Sequence, residues 1–320
     1  MKTGLAVLAL MLLAVPAPAA TAEGKFERTL QVTGAVDLDV ETGAGSIIVR
    51  NGEGSSVRVT GTIKARSDWD GGDVEARVRR LESNPPIEQN GNSIRVGHVT
   101  DRDLQRNISI SYEVVTPAET RVRSRTGSGS QTVEGVRGPV EASTGSGSLA
   151  ISRIGDEVRA STGSGSIKLD SVKGRVKAAT GSGGIRGTGI AGPVVADTGS
   201  GSVRLEQTAP GGAEVKTGSG SVDVTGVRGP LRVRSGSGSV AAQGEPQGEW
   251  NLEVASGNVS VRLPPEAAFD FHARTGSGRI SINHPLSVQG VIGRREVDGK
   301  VRGGGPRLSV WTASGNIQVQ

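Results

Sequence analysis

The chain has no cysteine, two methionines, three histidines and very few aromatics: three tryptophans, three phenylalanines and one tyrosine in 320 residues. Without cysteine there is no disulfide framework, no thiolate metal site and no cysteine to carry a lipid anchor. The usual zinc sites go with it. His98, His272 and His284 lie far apart and show no metal-ligand spacing. One sign of charge does not dominate either. The formal charge is +5, Lys2 included, and arginines are interleaved with Asp and Glu along most of the chain. That reads as a solvated surface and excludes a nucleic-acid footprint.

What is abundant is glycine, 50 residues of it. Scattered glycine with so few aromatics would signal disorder; here it is periodic. The phrase Thr-Gly-Ser-Gly-Ser recurs, with one Gly in place of its last Ser, at Thr126, Thr144, Thr162, Thr180, Thr198 and Thr217, and with Ser for Thr at Ser235. The spacings are 18, 18, 18, 18, 19 and 18 residues. A fixed period near 20 marks a stacked repeat array. Within one unit, Val140, Ala142 and Thr144 alternate with Glu141 and Ser143, the period-two pattern of a strand with one buried face. Gly145 to Ser148 make a corner, with glycine supplying positive φ. Leu149 and Ile151 read as a second strand, Ile154 follows, and the cycle restarts at Val158.

A unit this short cannot bury its apolar edge alone. About five inward side chains at roughly 1.5–3 kcal/mol each do not offset ordering 18 residues at roughly 1–2 kcal/mol apiece. Stacking does, because each coil pairs its backbone with its neighbours. The sequence therefore predicts an all-β fold, a parallel β-solenoid (β-helix) of about 18 residues per coil, right-handed as parallel crossovers usually are. The threonines share the phase of Val140 and Ala142, so they should point inward and bond to the corner backbone or to one another. An outward threonine array for ice binding would need one small group in every coil. The outward residues beside the threonines are mixed instead.

Residues 1–22 read as an export signal: Lys2, an apolar core from Leu5 to Val15, and Ala20-Thr21-Ala22 as the cleavage site. The apolar run is short for a membrane span, so no transmembrane segment is expected after signal removal. The expected organisation is 1–22 signal peptide, 23–125 N-terminal coils with a helical insert, and 126–320 regular repeats with irregular C-terminal coils. The same grammar already runs from Phe26 to Val59, with Val36, Leu38 and Val40 alternating, a corner at Thr42 to Ser46 and Ile47 and Val49 after it. Val57, Val59 and Ile63 read as another strand, so the array is expected to start near residue 30. The insert is near 73–82, with Asp73 as N-cap, Val74, Val78 and Leu81 on one face, and Asn84-Pro85-Pro86 as the stop. Whether it caps or flanks the solenoid stays open. After Ser239 the coils loosen, with Trp250 and Phe271 in inward columns and Trp311 in the outward phase.

These features together carry a resemblance. The export signal, the helical insert, Val115-Thr116-Pro117 before the coils, and the Ser-Gly-Ser or Ser-Gly-Asn corners are similar to a bacterial family of β-strand-repeat exported proteins labelled adhesins, a domain of unknown function. Arg262-Leu263-Pro264-Pro265 and the closing Thr312-Ala313-Ser314-Gly315-Asn316-Ile317 fit the same family. The family often has Asp after the corner glycine, where this chain has Ser or Asn. The resemblance covers most of 26–320 and implies a parallel β-solenoid on the cell envelope. It supplies no catalytic residues.

No nucleophile elbow, phosphate loop or calcium-binding repeat is present in the residues. The tight carboxylate pairs in irregular regions are Asp68 with Asp70, around Trp69, and Asp101 with Asp103. Such pairs could cleave polysaccharide or bind a cation. They are the loop candidates, together with Trp311. The reading is an exported, non-enzymatic module with no cofactor and no metal. It would be periplasmic, cell-surface or secreted, with an envelope protein or polysaccharide as partner and no nucleic acid. A polysaccharide-active β-helix enzyme is the alternative.

Overall fold

The computed structural model describes residues 21–66, 73–99, 101, 104, 107–287 and 293–320. Among them the chain forms two long sheets, of 15 and 14 strands, facing each other across one core. Each coil contributes two strands, one to each sheet. Val140–Ser146 lies in the 15-stranded sheet, parallel to Thr120–Ser128 and Val158–Ser164. Leu149–Ile154 lies in the 14-stranded sheet, parallel to Gln131–Glu134 and Ile167–Val172. Equivalent residues sit side by side: Ala142 beside Ala160, Thr144 beside Thr162, Ile151 beside Leu169. The parallel β-solenoid is thus a flattened one. In the coil of Val140–Ile154, buried valine and alanine on one sheet share the core with leucine and isoleucine on the other.

Ile154 is buried although it lies three residues after Ile151, an odd interval that strict alternation would send outward. The second of the two residues between them, Arg153, resets the phase. Gly135, Arg153, Ser171, Gly189 and Gly226 occupy this position in their coils, and all five have φ between 54° and 76°. The left-handed residue turns the chain so that the following aliphatic re-enters the core.

The threonines point inward, and each hydroxyl donates to a corner carbonyl rather than to another hydroxyl. Thr144, Thr162, Thr180 and Thr198 reach the carbonyls of Gly129, Gly147, Gly165 and Gly183 at 2.9–3.0 Å. Ser235, the one serine in the phrase's threonine column, is buried and its hydroxyl has no partner. The corner glycines require a correction. Positive φ holds for some, such as Gly220 at 144° and Gly238 at 124°. The general reason is close approach. A Cβ on Gly145 would lie 2.5 Å from the Gly127 carbonyl oxygen, and one on Gly147 would press on the Gly129 carbonyl.

At both ends, stacking order and chain order part company. The coil of Val36–Ala44 and Ile47–Asn51 sits between that of Thr120–Ser128 and an end coil made later, from Ser93–Val96 and Ile108–Thr116. The last coil in the chain, Arg307–Ser314 and Ile317–Val319, is inserted between Trp250–Arg262 and the end coil of Phe269–Ile282. Antiparallel strands continue each end. Ser56–Arg66 pairs with Ile108–Thr116, Thr21–Gln31 pairs with Ser56–Arg66, and Glu296–Val301 pairs with Phe269–Ser277. Ser56–Arg66, which holds Val57, Val59 and Ile63, is therefore part of an antiparallel ribbon and not a coil strand.

The helix spans Val74–Ser83, and the Asp73 carboxylate accepts from the Ala76 N–H at 2.8 Å. Val74, Val78 and Leu81 join the common core. The helix lies on the inward face of the ribbon, where a Cβ on Gly24 would meet the Val78 side chain. Glu82 accepts from the backbone N–H of Lys25 at 2.8 Å, covering part of the outermost strand. It closes the end of the core; no helix among the described residues is long and apolar enough to cross a membrane.

Candidate binding surface

The alternation that buries Leu308, Val310 and Thr312 sends Ser309 and Trp311 to the outer face of the 15-stranded sheet. Trp311 is 43 % exposed and is the one exposed large hydrophobic among the described residues. Trp250, Phe269, Phe271, Tyr112 and Phe26 are all buried. Its cross-strand neighbours are Glu253 on one side and Arg274 on the other. One residue pair further along the strands, Ser309 stands between Asn251 and His272.

These polar groups hold one another in place. Glu253 accepts from Arg234 Nε at 3.1 Å and from Asn251 Nδ2 at 3.1 Å. His272 Nδ1 meets Asp298 Oδ2 at 3.0 Å, on the strand that pairs antiparallel with Phe269–Ser277. No aromatic ring among the described residues stacks on Trp311. The result is a flat patch in which one indole is surrounded by carboxylate, guanidinium, amide, imidazole and hydroxyl groups on a rigid sheet.

Of the other sequence candidates, Asp68, Trp69, Asp70 and Asp103 lie outside the described residues. Asp101 is paired with Arg80 of the helix, Oδ2 to Nη1 at 3.1 Å, and so helps hold the end cap. It stands at the opposite end of the stack from Trp311. A cavity of about 440 Å³ lies near it, lined by Glu41, His98, Val99, Leu104 and Tyr112, with the His98 ring 3.7 Å from Glu41. Burial pushes the Tyr112 phenol well above its ordinary range. His284 is buried edge-on to Phe269, and its Nε2 has no partner. The three histidines are thus in three separate settings. Among the described residues no three or more His, Cys, Asp and Glu side chains group to hold a metal ion.

Sequence reasoning found Trp311 through its phase. It missed Arg274, Glu253, His272 and Asp298 as neighbours, because the coil bearing Trp311 is inserted between coils that precede it in the chain. Charge is also uneven in a way the totals hide. Residues 121–204 carry 12 Arg and Lys against 6 Asp and Glu, whereas residues 23–120 carry 12 against 16.

The profile of the Toastrack DUF4097 family matches residues 107–320, well over half of the chain. The chain belongs to that family. The Toastrack match takes in the coils from Ile108 onward, including Trp311 and all its neighbours named above. It leaves out the first ribbon and the helix. No functionally curated protein is similar to the chain in sequence. Among solved structures, a "putative cell adhesion protein" from Clostridium sporogenes is 12% identical, over 93% of this chain and 99% of that one, with a TM-score of 0.24. A "putative adhesin" from Parabacteroides distasonis is 8% identical, over 93% and 97%, with a TM-score of 0.35. A "putative lipid binding protein" from the same organism is 10% identical, over 92% and 96%, with a TM-score of 0.28.

Proposed function

We propose that this Toastrack protein is an exported, non-enzymatic rod that binds a component of the bacterial cell envelope, as an adhesin or a structural module. The observation that carries the reading is Trp311, a large apolar side chain held outward on a hydrogen-bonded sheet whose other outward positions nearby are polar. A buried tryptophan fills a core; an exposed one on a rigid face is a ready contact for a partner. The stack supports the same reading, since its outward side chains change from coil to coil, as at Glu141, Arg159, Lys177 and Val195.

The test is co-sedimentation of the protein, from Glu23 onward, with purified peptidoglycan, outer membranes and capsular polysaccharide at low and high salt. Pelleting with one fraction that survives high salt is the expected result and names the partner class. Pelleting with every fraction at low salt and none at high salt would reduce the interaction to the basic coils of 121–204. No pelleting at all would overturn the reading.

A further inference from the structure

The patch around Trp311 says more about its ligand than that it is a partner. We infer that it is a saccharide-binding platform, with the indole stacking on a sugar ring and Glu253, Arg274, Asn251 and the His272–Asp298 pair bonding to the hydroxyls. This rests on the binding reading above and names the chemical class of the ligand.

The composition of the patch excludes the competing surfaces. A protein–protein interface is depleted of charge at its centre and buries about 800 Å² per partner around several apolar anchors. Here the centre is a single indole, and both side chains beside it in the neighbouring strands are charged. A lipid surface would meet those same charges with one apolar side chain, too little to insert. A pyranose matches the pattern, being apolar on the face of its C–H groups and polar around its rim. Its diameter is also about one strand spacing, near 4.8 Å, so a ring over Trp311 brings its rim hydroxyls above the flanking strands.

The donors and acceptors are pre-set. Glu253 is held by Arg234 and Asn251, and His272 by Asp298, so little rotamer freedom is lost on binding. Arg274, beside Trp311 on its other flank, makes no ion pair within 4 Å among the described residues, which leaves its guanidinium for a hydroxyl or an acidic substituent. The site is a flat, open face rather than a cleft, so it suits a polymer lying across the sheet, where repeated sugars compensate weak single contacts.

The experiment is affinity electrophoresis of the folded protein through gels containing a soluble β-glucan, glycol chitin or alginate, with melting curves to check each variant. Wild type should be retarded by at least one gel. Trp311→Ala should weaken that retardation at least about tenfold, a loss of about 1.4 kcal/mol. Trp311→Phe should keep most of it, because a ring remains to stack. Lys168→Ala, on the opposite sheet, should match wild type. Retardation by none of the three gels, or equal retardation of wild type and Trp311→Ala, would overturn the saccharide assignment. If Trp311→Ala also pellets with envelope fractions as wild type does, the binding reading survives and only this site falls. If pelleting depends on Trp311 but occurs with outer membranes alone, and no polysaccharide retards the protein, the ligand is not a saccharide and the assignment is again overturned.

Discussion

From Val140 to Arg262 each coil stacks on the coil that precedes it in the chain. At the C-terminal end the chain skips one place and later returns to fill it, and at the N-terminal end it lays the inner coil of Val36–Asn51 before the outer one of Ser93–Thr116. The middle is built by repetition. Thr162 reaches the Gly147 carbonyl because Thr144 reaches that of Gly129, and each corner glycine is small because the one beneath it is close. The ends are built by exception. A bare last coil would offer two rows of unpaired backbone groups to any passing strand. Antiparallel ribbons, short hairpins and, at one end, a helix occupy that position instead. Repetition supplies stability per coil, whereas the exceptions decide where the stack stops. The unusual side chains collect at the ends for the same reason: Tyr112, His284 and Trp311 all lie within the last two coils of one end or the other.

The contrast can be tested, beginning with the largest effect. Leu169→Ala, in the middle, should cost about 2–5 kcal/mol through the cavity it leaves, read as a shift of the main urea transition. Lys168→Ala, one residue away and outward, should stay within about 0.5 kcal/mol. Leu81→Ala on the end helix removes the same number of atoms from the core. There the loss should show as faster hydrogen exchange in Thr21–Gln31 and Ser56–Arg66, with the middle coils remaining protected. Equal exchange everywhere would mean that ends and middle are one cooperative unit.

Gly147→Ala comes next, at about 1–3 kcal/mol, because the new methyl meets backbone that cannot move aside. Gly54→Ala, at a turn with φ of 90° and nothing within 4 Å of a Cβ, should cost about 1 kcal/mol from conformation alone. A reversed order would remove close stacking as the reason for the corner glycines. Smaller still, Ser235→Thr should stabilise by about 0.5–1 kcal/mol if it restores the bond its neighbours make, measured by the urea midpoint. No gain would show that this coil is spaced differently from the rest.

The smallest effect is electrostatic. Lys216 bonds to Glu214 at 2.7 Å, and that hydrogen bond and charge hold the Glu214 carboxyl below its ordinary range. A depressed carboxylate contributes stability above the range in which the unfolded carboxyl titrates, and the contribution is lost as pH falls through the folded value. A carboxyl NMR titration should place Glu214 below the ordinary carboxylate range, and Lys216→Ala should bring it back up. The pair is surface-exposed, so its effect on the melting temperature should be slight.

Much of this was legible in the residues. The inward threonines, the helix with its Asp73 cap, the buried Trp250 and Phe271 and the exposed Trp311 all follow from phase, which a strand or helix carries in a few consecutive positions. Thr144 shows the limit of that reasoning: phase puts its hydroxyl inside, but the acceptor is a carbonyl 15 residues back, in the preceding coil. The neighbours of Trp311 were illegible for a stronger reason. Glu253 and Arg274 are 58 and 37 residues away in the chain, and nothing in their local pattern says that residues 307–319 will be inserted between their strands.

The sequence by itself determined the coil: its length, its two strands, its inside and its outside, because hydrogen-bonded strands stacked in register repeat one pattern at every step. Only the tertiary structure decided which coil lies beside which at the ends. Every coil offers its neighbours nearly the same backbone edge and the same threonine, glycine and aliphatic columns, so the repeat cannot choose among them. The choice falls to the long excursions through the helix and the antiparallel ribbons, and with it the company that Trp311 keeps.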